Sequence, residues 1–107
     1  MLQADLKRGS MATLILTVLR DGALHGYQLA REIERRSGGY FECKEGTLYP
    51  ALHKLEREGL LHGEWEPAGE SRRRRRYAIT PAGERFLSAS VAEWQLFTSR
   101  LLTMIQG

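Results

Sequence analysis

Five consecutive arginines, Arg72 to Arg76, form the densest run of charge in this 107-residue sequence. A row of like charge is ordinarily a solvated or disordered segment, so its neighbours decide whether it grips a polyanion. A second set lies upstream, where Thr47, Pro50, Lys54 and Arg57 recur at helical spacing with Tyr49 and His53 on their flank. Small polar and phenolic groups near a helix start, followed by two cations, suit entry into a nucleic-acid groove and clamping of phosphates. Other chemistries find no support. His25, His53, His62 and Cys43 lack a compact ligand spacing, which argues against a metal. Gly22, Gly26, Gly38 and Gly39 punctuate elements and do not form a phosphate-cradling loop, and no serine or cysteine has a nucleophile's setting. Neither an enzyme nor a cofactor is expected.

Charge is unevenly distributed. The net charge is +3, yet residues 80 to 107 hold only Glu84, Arg85, Glu93 and Arg100, which cancel, so the excess lies in residues 1 to 79. A basic part joined to a neutral apolar part suggests a polyanion-binding module attached to an assembly element. With 42% hydrophobic and 27% charged residues the chain has the composition of one globular domain with one main core. Lys7 and Arg8 ahead of the apolar run from Met11 to Leu19 imitate a signal peptide. Asp5, Thr13, Thr17 and the following Arg20-Asp21-Gly22 argue instead for a core helix. The single cysteine, Cys43, fits a reducing compartment as buried filler, and a cytoplasmic location is expected.

The elements that must position these residues can be read in order. Ser10 is a candidate N-cap for a helix through Arg20 with Leu14, Val18 and Leu19 inward, and the spacing of Leu2 and Leu6 allows that helix to extend backward. Residues 27 to 37 form a second helix with Leu29, Ala30 and Ile33 on one face, ended by Gly38-Gly39. His25 sits at its entry. A third, in "GTLYPALHKLEREG", buries Leu48, Leu52 and Leu55, and Pro50 requires that it begin only shortly before that residue. "LLHGEWE", a turn at Pro67-Ala68-Gly69 and the arginine segment have the pattern of a hairpin. In the returning strand Arg73, Arg75, Tyr77 and Ile79 share one face, and Arg72, Arg74, Arg76 and Ala78 the other. Thr80 caps a last helix, with Pro81 at its first position, that runs to about Gln106.

Three helices, a small β-hairpin and a long helix make a mainly α fold of the winged helix-turn-helix plan. Residues 1 to 79 would bind DNA and residues 80 to 107 would dimerise, within one compact domain. The arginines then form the wing. Their planar forks match phosphate oxygens, and about three of the five are expected to touch nucleic acid. The same fold could instead serve an RNA or a protein partner.

The last helix carries Leu87, Val91, Trp94, Leu101 and Ile105 at four-and-three spacing, widened by Phe86, Phe97, Leu102 and Met104. That is more apolar surface than a small domain leaves wet, so a second copy is expected to cover it, partly on Leu2, Leu6 and Met11. Two-fold symmetry would present paired third helices to a near-palindromic site.

"LHGYQLAREIE", "GTLYPALHKLEREGLL", "GEWE" and "RRRYAITPAG" resemble the PadR family of bacterial and archaeal transcriptional regulators. The resemblance spans about residues 10 to 95. It implies a homodimeric winged-helix repressor with Thr47, Tyr49, Lys54 and the wing arginines at DNA-facing positions. A single helix after the wing resembles the family's small subgroup, and five arginines exceed the family pattern. The resemblance also implies that Trp94 and its mate could flank a slot for a flat aromatic effector, lined by Phe97 and Leu6; as plain packing, Trp94 would only fill the interface.

Overall fold

The computed structural model describes the backbone of residues 2–107 and the side chains of residues 10–107. Four helices and three short strands follow one another as α1 (Leu2–Leu19), β1 (Leu24–His25), α2 (Gly26–Arg36), α3 (Glu45–Arg57), β2 (Leu61–Pro67), β3 (Arg73–Ile79) and α4 (Pro81–Gln106). Ser10 is not an N-cap. Helix α1 runs through it from Leu2, because Leu, Gln, Ala, Lys and Arg upstream favour the helix and nothing there ends it. Ile15 and Leu16 join Val18 and Leu19 on its buried face, while Leu14 is only half-buried.

The core gathers around α1, where α2, α3, both wing strands and the start of α4 close over it. Leu29 and Ile33 of α2, Leu48, Leu52 and Leu55 of α3, and Tyr77 of β3 close over Ile15 and Leu16, all nearly removed from solvent. These are the positions that period 3.6 assigned on α2 and α3. Pro50 lies in the second turn of α3, deeper than a helix start, so the Gly46 carbonyl loses its usual partner. Both residues are exposed, and water can serve that carbonyl.

The wing is antiparallel with Leu61 opposite Ile79, Gly63 opposite Tyr77, Trp65 opposite Arg75 and Pro67 opposite Arg73. Arg72 belongs to the turn, where its carbonyl accepts from Ala68 N at 3.0 Å. A two-residue strand, β1, pairs with the far side of β3, giving the order β1-β3-β2 and leaving β2 at the edge. The hairpin is thus anchored by a third strand that sits between α1 and α2.

Thr80 caps α4 as its sequence context demands: Oγ1 accepts from Gly83 N at 3.0 Å and donates to the Gly59 carbonyl at 2.7 Å. One residue therefore ties the start of α4 to the turn after α3. Beyond Trp94 the helix carries its apolar residues into solvent.

Candidate nucleic-acid interface

Helix α3 owes its outward face to the inward pull of Leu48, Leu52 and Leu55. Thr47, Pro50, His53, Lys54 and Arg57 are all exposed, whereas Tyr49 is half-buried against the core. The structure splits the set between two sides. Tyr49 and His53 join Glu56, Trp65, Arg73, Arg74, Arg75, His25 and Tyr27 around a cleft of about 610 Å³ between α3 and the wing. Thr47, Pro50 and Lys54 border the opposite side, toward Met11 and Phe86.

The five arginines are not equivalent. Arg72, Arg73, Arg74 and Arg76 are exposed. Arg74 pairs with Glu66 across the strands at 2.8 Å, and Arg76 lies opposite Glu64. Arg73 stacks over Trp65, its guanidinium carbon 5.8 Å from the ring centre. Arg75 turns inward, where it pairs with Glu56 of α3 and donates to the Gly63 carbonyl at 3.0 Å. Alternation in an extended strand forecast its side of the sheet; Glu56 as its partner was not forecast. Trp65 was passed over as well. It is 57% exposed and lies opposite Arg75 in the hairpin, a placement that the sequence alone does not reveal.

His25 holds the near wall of the cleft. Its Nδ1 accepts from Gln28 N at 3.4 Å while its own N–H donates to Gln28 Oε1 at 3.3 Å, a reciprocal cap on α2. Burial lowers the imidazole's pKa below its ordinary 6.5, and the charges of Arg74 and Arg76 lower it further against the opposing pull of Glu66. These effects favour the neutral ring, the form whose Nδ1 can accept. On the outer face of α2, hydrogen bonds from Arg35 and Arg36 hold half-buried Glu32 down to about 2.

At the other end of the molecule the expected assembly residues also divide. Leu87 and Met11 lie in the chain's own core, 2% and 7% exposed, and are therefore removed from the surface a partner could cover. Val91 and Trp94 are half-buried, and Phe97, Leu101 and Ile105 are exposed at 55%, 45% and 69%. Leu2 and Leu6 lie outside the residues whose side chains are described. Trp94 and Phe97 meet edge to face at 6.0 Å and line a cavity of about 410 Å³ with Phe86, Ser90, Glu93, Ala12 and Thr13. Among the described residues no His, Cys, Asp and Glu cluster could hold a metal, and no helix is long and apolar enough to cross a membrane.

An exposed helix face beside a cationic two-stranded wing, both fixed to one helical core, defines a winged-helix nucleic-acid-binding protein. Residues 15–89 match the model of the Transcriptional regulator PadR-like family. The chain is 37% identical over 84 residues to the transcriptional regulator Rv3488 of Mycobacterium tuberculosis, covering 78% of this chain and 75% of that one. The structure of a transcriptional regulator from Clostridium thermocellum superimposes with a TM-score of 0.84 at 32% identity, over 91% of this chain and 94% of that one. The Negative transcriptional regulator PadR of Bacillus subtilis is 30% identical over 73 residues, 68% of this chain and 40% of that protein. The crystal structure of Bacillus subtilis PadR in complex with operator DNA superimposes with a TM-score of 0.70 at 27% identity, over 76% and 46% of the two chains. The chain belongs to the PadR-like family of transcriptional regulators, and is thus a DNA-binding regulator and not an enzyme.

Proposed function

We propose that this protein is a homodimeric repressor that binds a near-palindromic operator. The observation that carries this reading is the exposed face of α3, where His53 shares a cleft with Arg73 and Arg74 of the wing and Thr47, Pro50, Lys54 and Arg57 extend the face away from it, together with the exposed Arg72 and Arg76. Helix α3 enters a major groove and the wing arginines meet phosphates of the flanking backbone, where each neutralised phosphate releases counterions. Two copies joined along α4 place their third helices one DNA turn apart, about 34 Å. Repression is supported by the name of the Bacillus subtilis relative, a negative regulator.

Selection of bound duplexes from a random pool by the purified protein tests the reading. Recovery of an inverted repeat, bound in preference to random duplex and to RNA of the same sequence at equal salt, supports it. Recovery of no preferred duplex, or tighter binding to the RNA, overturns it.

A small planar effector is the second part of the proposal, supported by the cavity that Trp94 and Phe97 line. Such a ligand relieves binding only through different affinities for DNA-competent and incompetent arrangements of the dimer. In a Trp65→Phe variant Trp94 is the only tryptophan. Its fluorescence should respond to planar aromatic dyes that also weaken operator binding. Dyes that change neither signal would remove the effector from the account.

A further inference from the structure

We propose that Arg75, paired with Glu56, is a positioning residue that sets the wing against α3 and is not one of the wing's phosphate contacts. The inference rests on the operator-binding reading above and refines it. Its basis is the way β2 meets α3. Bonds from Ala68 N to the Arg72 carbonyl and from Thr80 N to the Leu60 carbonyl fix which positions of the hairpin exchange hydrogen bonds. Even-numbered residues of β2 face β3, so the polar groups of Gly63 point away from it, toward the open edge of the sheet.

Those two edge groups are both engaged. Gly63 N donates to Glu56 Oε2 at 3.3 Å, and the Gly63 carbonyl accepts from Arg75 at 3.0 Å. The same Glu56 oxygen accepts from Arg75, closing a triangle between the last turn of α3 and both wing strands. Glycine leaves the guanidinium room to lie there, since a Cβ on residue 63 would lie 2.6 Å from an Arg75 guanidinium nitrogen and would push it aside. Trp65 and Tyr77 flank the guanidinium at 5.4 and 5.9 Å. Its Nε is shut off from solvent with no hydrogen-bond acceptor among the described residues. An orphaned donor opposes this folded-back rotamer, so the Glu56 pair and the rings must hold it.

A carboxylate on the DNA side of a basic protein would ordinarily weaken binding. If Glu56 and Arg75 act as a brace, the opposite holds: removing the negative charge costs specificity, because the α3-to-wing angle that matches groove and backbone is lost.

The test compares Glu56→Gln, Arg75→Gln and the milder Arg75→Lys with the charge-exchanged double variant Glu56→Arg/Arg75→Glu, in the full chain. Binding to the selected operator and to random duplex is followed across a salt series, together with amide hydrogen exchange over residues 61 to 79 without DNA. A brace predicts that each single variant lowers operator-over-random discrimination about tenfold and accelerates exchange by a similar factor, the scale of a coupled charged pair. Arg75→Lys belongs with them because one ammonium cannot reproduce the fork. The salt slope on random duplex stays unchanged, and the exchanged pair regains protection. The proposal is overturned if Arg75→Gln lowers that slope by about 0.9, the loss of one phosphate contact, with exchange unaltered. Tighter binding of both duplexes by Glu56→Gln at unaltered exchange overturns it equally. Should the unsubstituted protein prefer no duplex, the operator reading fails by itself, and exchange alone decides the brace: lost protection upholds it and unchanged protection ends it.

Discussion

At the scale of single residues, the fold turns on places where two backbones nearly touch. Gly83 is one: a Cβ there would lie 2.2 Å from the Leu60 carbonyl oxygen, and that carbonyl is already engaged by Thr80 N at 3.2 Å. Backbone cannot yield as a flexible side chain does. Gly83→Ala, which would stabilise an ordinary helix position, should here destabilise the protein by about 1–3 kcal/mol or more, seen as a lower urea midpoint. Ala at exposed Ser88, further along the same helix, should leave the midpoint nearly unchanged. The motif Thr80-Pro81-Ala82-Gly83 announced a helix start; that its glycine was required by Leu60 depends on a contact between distant segments. Arg75 shows the same limit, since alternation reveals the side of a strand but no local pattern points to a carboxylate 19 positions earlier.

Elements were legible wherever caps and periodicity agreed. Helix α4 begins at Pro81 behind its threonine cap, and the buried leucines of α3 fall on the expected stripe. Strand β1 was missed because two residues carry no period, and the start of α1 stayed open between Ser10, which has a cap's chemistry, and the apolar spacing of Leu2 and Leu6, which the structure follows. The junction of β1 and α2 yields a prediction in pH. His25 has a folded-state pKa below 6.5, so unfolding takes up a proton when the solution is mildly acidic. Its contribution to stability is whole above 6.5 and is lost as pH falls from there through the folded value. The thermal midpoint should therefore decline between about pH 7 and 5. In His25→Asn, an amide oxygen can still accept from Gln28 N while nothing titrates, so that decline should flatten. A decline of equal steepness in the variant would assign the pH dependence to other groups.

The molecule as a whole is longer than its size requires. Its radius of gyration is 15.2 Å and its extents are 60 × 28 × 21 Å, against about 13 Å for a compact chain of this length. Much of the excess is α4, 26 residues or roughly 39 Å of helix, whose second half shows Phe97, Leu101, Leu102 and Ile105 to solvent. The amphipathic stripe was plain in the sequence. How much of it the chain spends on itself was not, because Leu87 and Met11 are buried only when α1 and α4 pack. The separation of roles suggests a clean test of the homodimer. Leu101→Lys with Ile105→Lys adds charge only beyond the core, so helical content and the midpoint of the remaining domain should change little. Sedimentation at micromolar concentration should then show a single chain, and operator affinity should fall by about 10²- to 10⁴-fold because the second half-site no longer benefits from tethering. Binding of one half-site duplex should be almost unaltered, since α3 and the wing are untouched. A double variant that stays dimeric, or a single chain that keeps full operator affinity, would mean that the surface beyond Val91 serves something other than joining two copies on DNA.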